Sequence, residues 1–209
     1  MNRAICVSLD KDVFDFIHTL VDISVLGYFD KNNMGTVYNL SYLGNDEAWQ
    51  EFVSQEPDLK VIMLVDPPKL KRQLVEYYGA SRLISLVAPD TYISSRASLE
   101  KGVTVQRGVK ILPDAKIGKA VKINVNATIH HDTTIEDYCT IAPGCTLLGN
   151  VKIGEGTFVG AGAIILPHVQ IGTNVTVGAG AVVLKDVPDN SVMGGVPARN
   201  LKRWKELKE

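Results

Sequence analysis

Four histidines, His18, His130, His131 and His168, are the side chains best suited to proton transfer near neutral pH. Imidazole has a reference pKa of about 6.5. Two of them are adjacent and followed by a carboxylate, His130-His131-Asp132. An acid beside an imidazole holds its useful tautomer and stabilises its charged form. His18 stands in a stretch of helical apolar spacing and reads as a packed or solvated residue. The three cysteines, Cys6, Cys139 and Cys145, are too few and too oddly numbered for a disulfide framework.

The elements that position these groups announce themselves through a repeat. Every sixth residue from Ile93 to Val183 is Ile, Leu or Val, sixteen positions without an exception or insertion. Four residues after each stands a small or β-branched residue, from Ala97 to Val187. A period of six is neither helical nor a simple strand alternation. It fits a short strand and a tight turn repeated, with both residue sets pointing inward and Gly, Asn and Asp serving the turns. Stacked hexads form a parallel β-helix, and large inward aliphatics with small companions suit a triangular prism of 18 residues per coil. Sixteen hexads give a little over five coils. Cys139 and Cys145 occupy consecutive small inward positions, as core thiols rather than nucleophiles.

The same period gives a geometric expectation. Residues 18 apart stack at roughly the 4.8 Å strand spacing. His131 lies at a turn, two residues past inward Ile129, and 18 residues on comes Gly149. A residue without a side chain should therefore lie beside the imidazole, leaving room for a reactant and an exposed peptide N–H. His168 falls in the column of Asp132, two coils away and about 10 Å along the axis.

Residues 1–88 read differently. The apolar runs 4–7, 23–29, 61–65 and 83–87 look like buried strands, with helical spacing in DVFDFIHTL, NDEAWQEFV and PPKLKRQLVEYY between them. Asp66-Pro67-Pro68 reads as a helix start with Asp as cap. Alternating strands and helices predict a small three-layer α/β domain with a parallel sheet over 1–88. The β-helix domain follows over 89–209, and LKRWKELKE reads as a short polar C-terminal helix.

This layout, with IHHDTTIEDYCTIAPGCTLLGNVKIGEGTFVGAGAIILP, VTVGAGAVVLKDVPDNSVMGGVPAR and the tail GGVPARNLKRW, resembles the PglD/NeuD-type sugar acetyltransferases. The resemblance implies a small Rossmann-like N-terminal domain and a left-handed β-helix, against the usual right-handed crossover rule. It implies an acetyltransferase that uses acetyl-CoA and a nucleotide-linked amino sugar in surface-glycan biosynthesis, N-acetylation being favoured over O-acetylation. It also implies a homotrimer with active sites between subunits. Acetyl transfer from a thioester needs a base, an oxyanion donor and a groove for CoA. By family match His131 is the base, Asp132 orients it and the Gly149 amide holds the oxyanion. Backbone at Ala161 and Ala179 would contact CoA, and Lys185, Arg199 and Lys202 could meet its phosphates. Asp30 matches the acidic position near the nucleotide base. Thr140 stands where relatives often carry a second histidine.

The first loop departs from the family. Ser8-Leu9-Asp10-Lys11-Asp12 holds no glycine where members have a Gly-rich loop, and Asp66 replaces a second glycine. Two acidic side chains facing a diphosphate would repel it. Rival readings are a zinc-dependent carbonic-anhydrase-like enzyme, whose ligand spacing His130, His131 and His168 do not resemble, and a non-catalytic scaffold. No metal is expected.

Composition narrows the partners. Lys+Arg is 22 against Asp+Glu 23 in 209 residues, a net charge of −1. That leaves no basic excess for a nucleic acid. No apolar run approaches the roughly 18 residues of a membrane span, and the start lacks a signal-peptide core, so a cytoplasmic location is expected.

Overall fold

The computed structural model describes residues 2–201. The chain opens with a four-stranded parallel sheet of order β3-β2-β1-β4, made from β1 (Asn2–Val7), β2 (Ile23–Phe29), β3 (Ser41–Gly44) and β4 (Lys60–Met63). Helices α1 (Lys11–Ile17), α2 (Trp49–Gln55) and α3 (Pro68–Tyr78) connect and cover it. Central β1 is apolar without alternation because both its faces are buried. Ala4 and Cys6 pack with Val13, Phe14 and Ile17, while Ile5 and Val7 pack with Trp49, Val75 and Tyr78.

Three readings of this segment need correction. Ser41–Gly44 forms the edge strand, a segment too short and too polar to stand out. The run 83–87 does not join the sheet as one strand. Leu83 makes a single bridge to Val61, and Leu86–Val87 is already a rung of the prism, paired with Thr104–Val105. Asp66 does not cap α3. Pro67 holds the N-cap position without a side-chain bond, and the Asp66 carboxylate turns to Lys122 instead.

From Leu86 the chain winds through two-residue rungs that pair in parallel with the rungs 18 residues before and after. Lys116–Ile117 pairs with Ser98–Leu99 and with Thr134–Ile135, which continues to Lys152–Ile153 and Gln170–Ile171. Three such ladders make the three faces. The aliphatic and small sets fill one core from Val103 to Val187, including Cys139 and Cys145. Every sixth residue from 102 to 180 has a left-handed backbone, and Gly, Asn or Asp holds most of these places. Ala120, Tyr138 and His168 adopt it as well, so the ladder imposes that turn even where the residue disfavours it. The predicted C-terminal helix and Lys202 lie outside the described residues.

One face is covered by the first unit. Its outward residues Thr104, Lys122 and Thr140, each 18 apart, donate to the backbone carbonyls of Met63, Leu64 and Asp66. The other two faces present Lys110, Lys116 and Lys152 at the same rung position, all exposed.

Candidate active site

His131 sits on the edge between the two uncovered faces, in the turn after Thr128–Ile129. Its Nδ1 lies 2.7 Å from Asp132 Oδ2, and both side chains are about half exposed (55% and 52%). Asp132 adopts the left-handed turn conformation, with φ 58°. That backbone carries its carboxylate back toward the ring of the preceding residue.

Gly149 is the neighbour on the next coil. A Cβ built there would lie 2.7 Å from His131 Cε1 and 2.8 Å from Nε2, so the imidazole lies over the bare α-carbon. The turns are tied directly, because Asn150 N–H donates to His131 O at 3.0 Å and His168 N–H to Gly149 O at 3.0 Å. The Gly149 N–H makes no hydrogen bond among the described residues. Pro113 and Pro167 stand one coil below His131 and one above Gly149 in the same column. Proline has no N–H to give, so the ladder does not need an amide at this turn position. The structure thus brings His131 beside Gly149, as read from the 18-residue period, and beside Asp132, its neighbour in the sequence.

The remaining candidates are spread. Lys185 continues the His131 column and is exposed, about 14 Å along the axis at strand spacing. Ala161 and Ala179 share a different edge, between the covered face and its neighbour, where Gly180 N–H donates to Ala161 O. One full face separates them from His131 in the same chain. Arg199 is exposed in the tail strand that pairs antiparallel with Val192–Gly194. His18 bonds Tyr38 O in the first unit, away from this edge.

Thr140 is corrected as a candidate near the acetyl group. It is fully buried beneath the first unit, accepting from Lys71 Nζ at 2.7 Å and donating to Asp66 O at 2.6 Å. Burial also pushes the thiol of Cys139 up to about 12 and that of Cys145 up to about 11, so neither supplies a thiolate. Among the described residues, no three His, Cys, Asp or Glu side chains converge as a metal site requires, and no helix is long and apolar enough to cross a membrane.

A second feature was not visible in the sequence. A cavity of about 910 Å³ opens between the first loop, the start of α3 and the covered face. Asp30 lines it, with Oδ2 accepting from Leu9 N–H and Ser8 Oγ and Oδ1 from Asn32 N–H. Lys122, Gln106 and Asn124 form its floor. Their only sequence signal was the 18-residue register of one face.

Residues 114–149 and 150–185 match the family model for bacterial transferase hexapeptide, six repeats. A histidine-to-alanine mutant of GDP-perosamine N-acetyl transferase from Caulobacter crescentus, in complex with CoA and GDP-perosamine, is 28% identical. It covers 96% of this chain and 97% of that one, with a TM-score of 0.87. The acetyltransferase domain of PglB from Neisseria gonorrhoeae, in complex with acetyl coenzyme A, is 26% identical over 96% of this chain and 100% of that one, with a TM-score of 0.86. WeeI from Acinetobacter baumannii, 24% identical over 96% and 100%, shares the fold with a TM-score of 0.84. No curated protein sequence matches the chain. Three parallel ladders of six-residue repeats, together with these matches, fit a left-handed β-helix.

Proposed function

We infer the reaction of this chain from its place among the PglD/NeuD-type sugar acetyltransferases: it is an acyltransferase that N-acetylates an amino sugar with acetyl-CoA. The observation that carries the mechanism is the imidazole of His131 lying over Gly149 with Asp132 at 2.7 Å. Asp132 accepts the Nδ1 proton, which leaves the Nε2 lone pair directed outward as a base. The acceptor amine loses a proton to Nε2 as it attacks the thioester carbonyl, and the free Gly149 N–H donates to the oxyanion. The tetrahedral adduct collapses to an amide, and CoA leaves as a thiolate that takes up a proton.

Groups read as CoA contacts lie on two edges flanking one uncovered face. That separation supports a homotrimer in which the His131 edge of one prism meets the Ala161–Ala179 edge of the next. The order β3-β2-β1-β4 supports a Rossmann-like unit ahead of Leu86 that receives the acceptor at the cavity Asp30 lines. The neighbours in complex with GDP-perosamine make amino sugars of surface-glycan synthesis the natural acceptor class. His131→Ala should lower kcat about 10²-fold or more while CoA affinity stays nearly intact. Near-normal turnover would remove His131 from the mechanism.

A further inference from the structure

The floor of the 910 Å³ cavity is an ion triad whose donors are used up. Lys122 is 2% exposed, and its ammonium has three N–H donors. They are met by Leu64 O at 2.8 Å, Asp66 Oδ2 at 2.9 Å and Asp10 Oδ2 at 2.8 Å. Gln106 Nε2 donates to Asp10 Oδ2 at 3.0 Å, and its Oε1 accepts from Val125 N–H. Asn124 Nδ2 donates to Ile141 O at 3.0 Å and points to Asp66 Oδ1 at 3.4 Å. The Lys122 ammonium therefore has no donor left, and the floor offers carboxylate lone pairs beside a single free N–H, the second of Gln106 Nε2.

Charge points the same way. Five aspartates and Glu47 line the cavity against three lysines, and Lys11 and Lys31 are exposed at its rim. A phosphate group only accepts hydrogen bonds and carries negative charge, so on this floor it meets one free donor and the like charge of Asp10 and Asp66. Hydroxyl and ammonium groups donate, and they fit its carboxylates.

We propose that the Asp10–Lys122–Asp66 triad makes this cavity selective for an acceptor without a diphosphate, an amino sugar as such or its neutral glycoside. The proposal rests on the reading above that the cavity receives the acceptor. It sets this chain apart from the neighbour in complex with GDP-perosamine.

The test uses the full chain with CoA bound. Calorimetry measures GDP binding, and steady-state kinetics compare methyl perosaminide with GDP-perosamine as acceptors for acetyl-CoA. The wild type should give no GDP heat up to about 1 mM and should favour the glycoside in kcat/KM by about 10-fold or more. Asp66→Asn changes a half-exposed side chain, and Asp10→Asn keeps a residue type that caps α1. Each removes one negative charge, and the pair should bring GDP affinity up by about 10- to 100-fold. Wild-type binding of GDP with a Kd below about 0.1 mM, or a preference for the nucleotide-linked sugar, overturns the proposal. Transfer to neither acceptor with CoA still bound would defeat the functional reading instead. GDP binding by the wild type and the paired variant would then decide this proposal by itself.

Discussion

Gly149→Ala separates the geometry of the base from the integrity of the fold. Gly149 is not among the residues with left-handed backbone, so alanine takes its conformation without strain. The new methyl would sit 2.7 Å from His131 Cε1 and 2.8 Å from Nε2. Carbon contacts are comfortable at about 3.5–4.0 Å, so the ring must retreat by about 1 Å. It can do so, because the His131 side chain is 55% exposed and nothing has to repack. The unfolding free energy should therefore change by no more than about 0.5 kcal/mol. The retreat pulls Nδ1 off its 2.7 Å contact with Asp132 and shifts Nε2 from its line of attack. A misplacement of about 1 Å in a reacting group costs on the order of 10²-fold in rate. Steady-state kinetics with acetyl-CoA, read beside a thermal melt, should show kcat down by that factor with an unchanged transition. A variant with full kcat would mean that the imidazole does not work from its place over residue 149.

Three further outcomes follow from named contacts. Asp132→Asn should keep the turn, since Asn150 and Asn174 hold the same left-handed place, yet lower kcat on the order of 10²-fold by losing the acceptor that fixes the His131 tautomer. Mixed trimers of His131→Ala and Ala161→Trp chains should regain part of the activity each lacks alone if the site spans two prisms, and an inactive mixture would place both edges in one chain's site. Burial, assisted by Lys122 and opposed by Cys139 and Asp66, pulls the Lys71 ammonium from 10.5 down to about 7. Below pH 7 the charge is present in both states and its burial costs roughly 5 kcal/mol; as pH rises from 7 toward 10 the folded chain sheds that proton first, so wild-type stability climbs. Lys71→Met leaves Cys139 O paired with Lys122 N–H and the Thr140 hydroxyl paired with Asp66 O. In urea titrations that variant should be the more stable chain at pH 6.5, with its advantage shrinking by roughly 2 kcal/mol at pH 8.5. A constant gap would refute the buried charge.

The prism was legible because its inward residues repeat with a fixed period and the core tolerates no exception. Val103 to Val187 alternate large and small with the register that the strand pairs then show. The pairing of His131 with Gly149 follows from that register, with no information beyond arithmetic. What stayed hidden depends on contact between segments far apart in sequence. Lys122 occupies the same rung position as Lys110, Lys116 and Lys152, which face solvent, and nothing local marks it for burial. It is buried only because Leu64 and Asp66, about 60 residues earlier, fold over that face. The same contact explains why Asp66 failed as a helix cap. A carboxylate has stronger claims on a buried ammonium than on a peptide N–H in the first turn of α3.

The two halves of the chain use charge in opposite ways, and that division has a physical reason. At the His131 edge the groups proposed to react sit on turns held by backbone ladders, with Asn150 N–H on His131 O and His168 N–H on Gly149 O, so the placing of those turns does not depend on side-chain packing. Such an edge can stay open to solvent and to a passing CoA without losing its geometry. The proposed selection needs the reverse, a concave floor whose one buried cation is already committed to carboxylates and a carbonyl. That floor requires a second layer over the prism, and the Thr104, Lys122 and Thr140 ladder supplies its anchor points. Selectivity can therefore drift by changes at residues 10 and 66 while the reaction edge stays as the 18-residue register sets it.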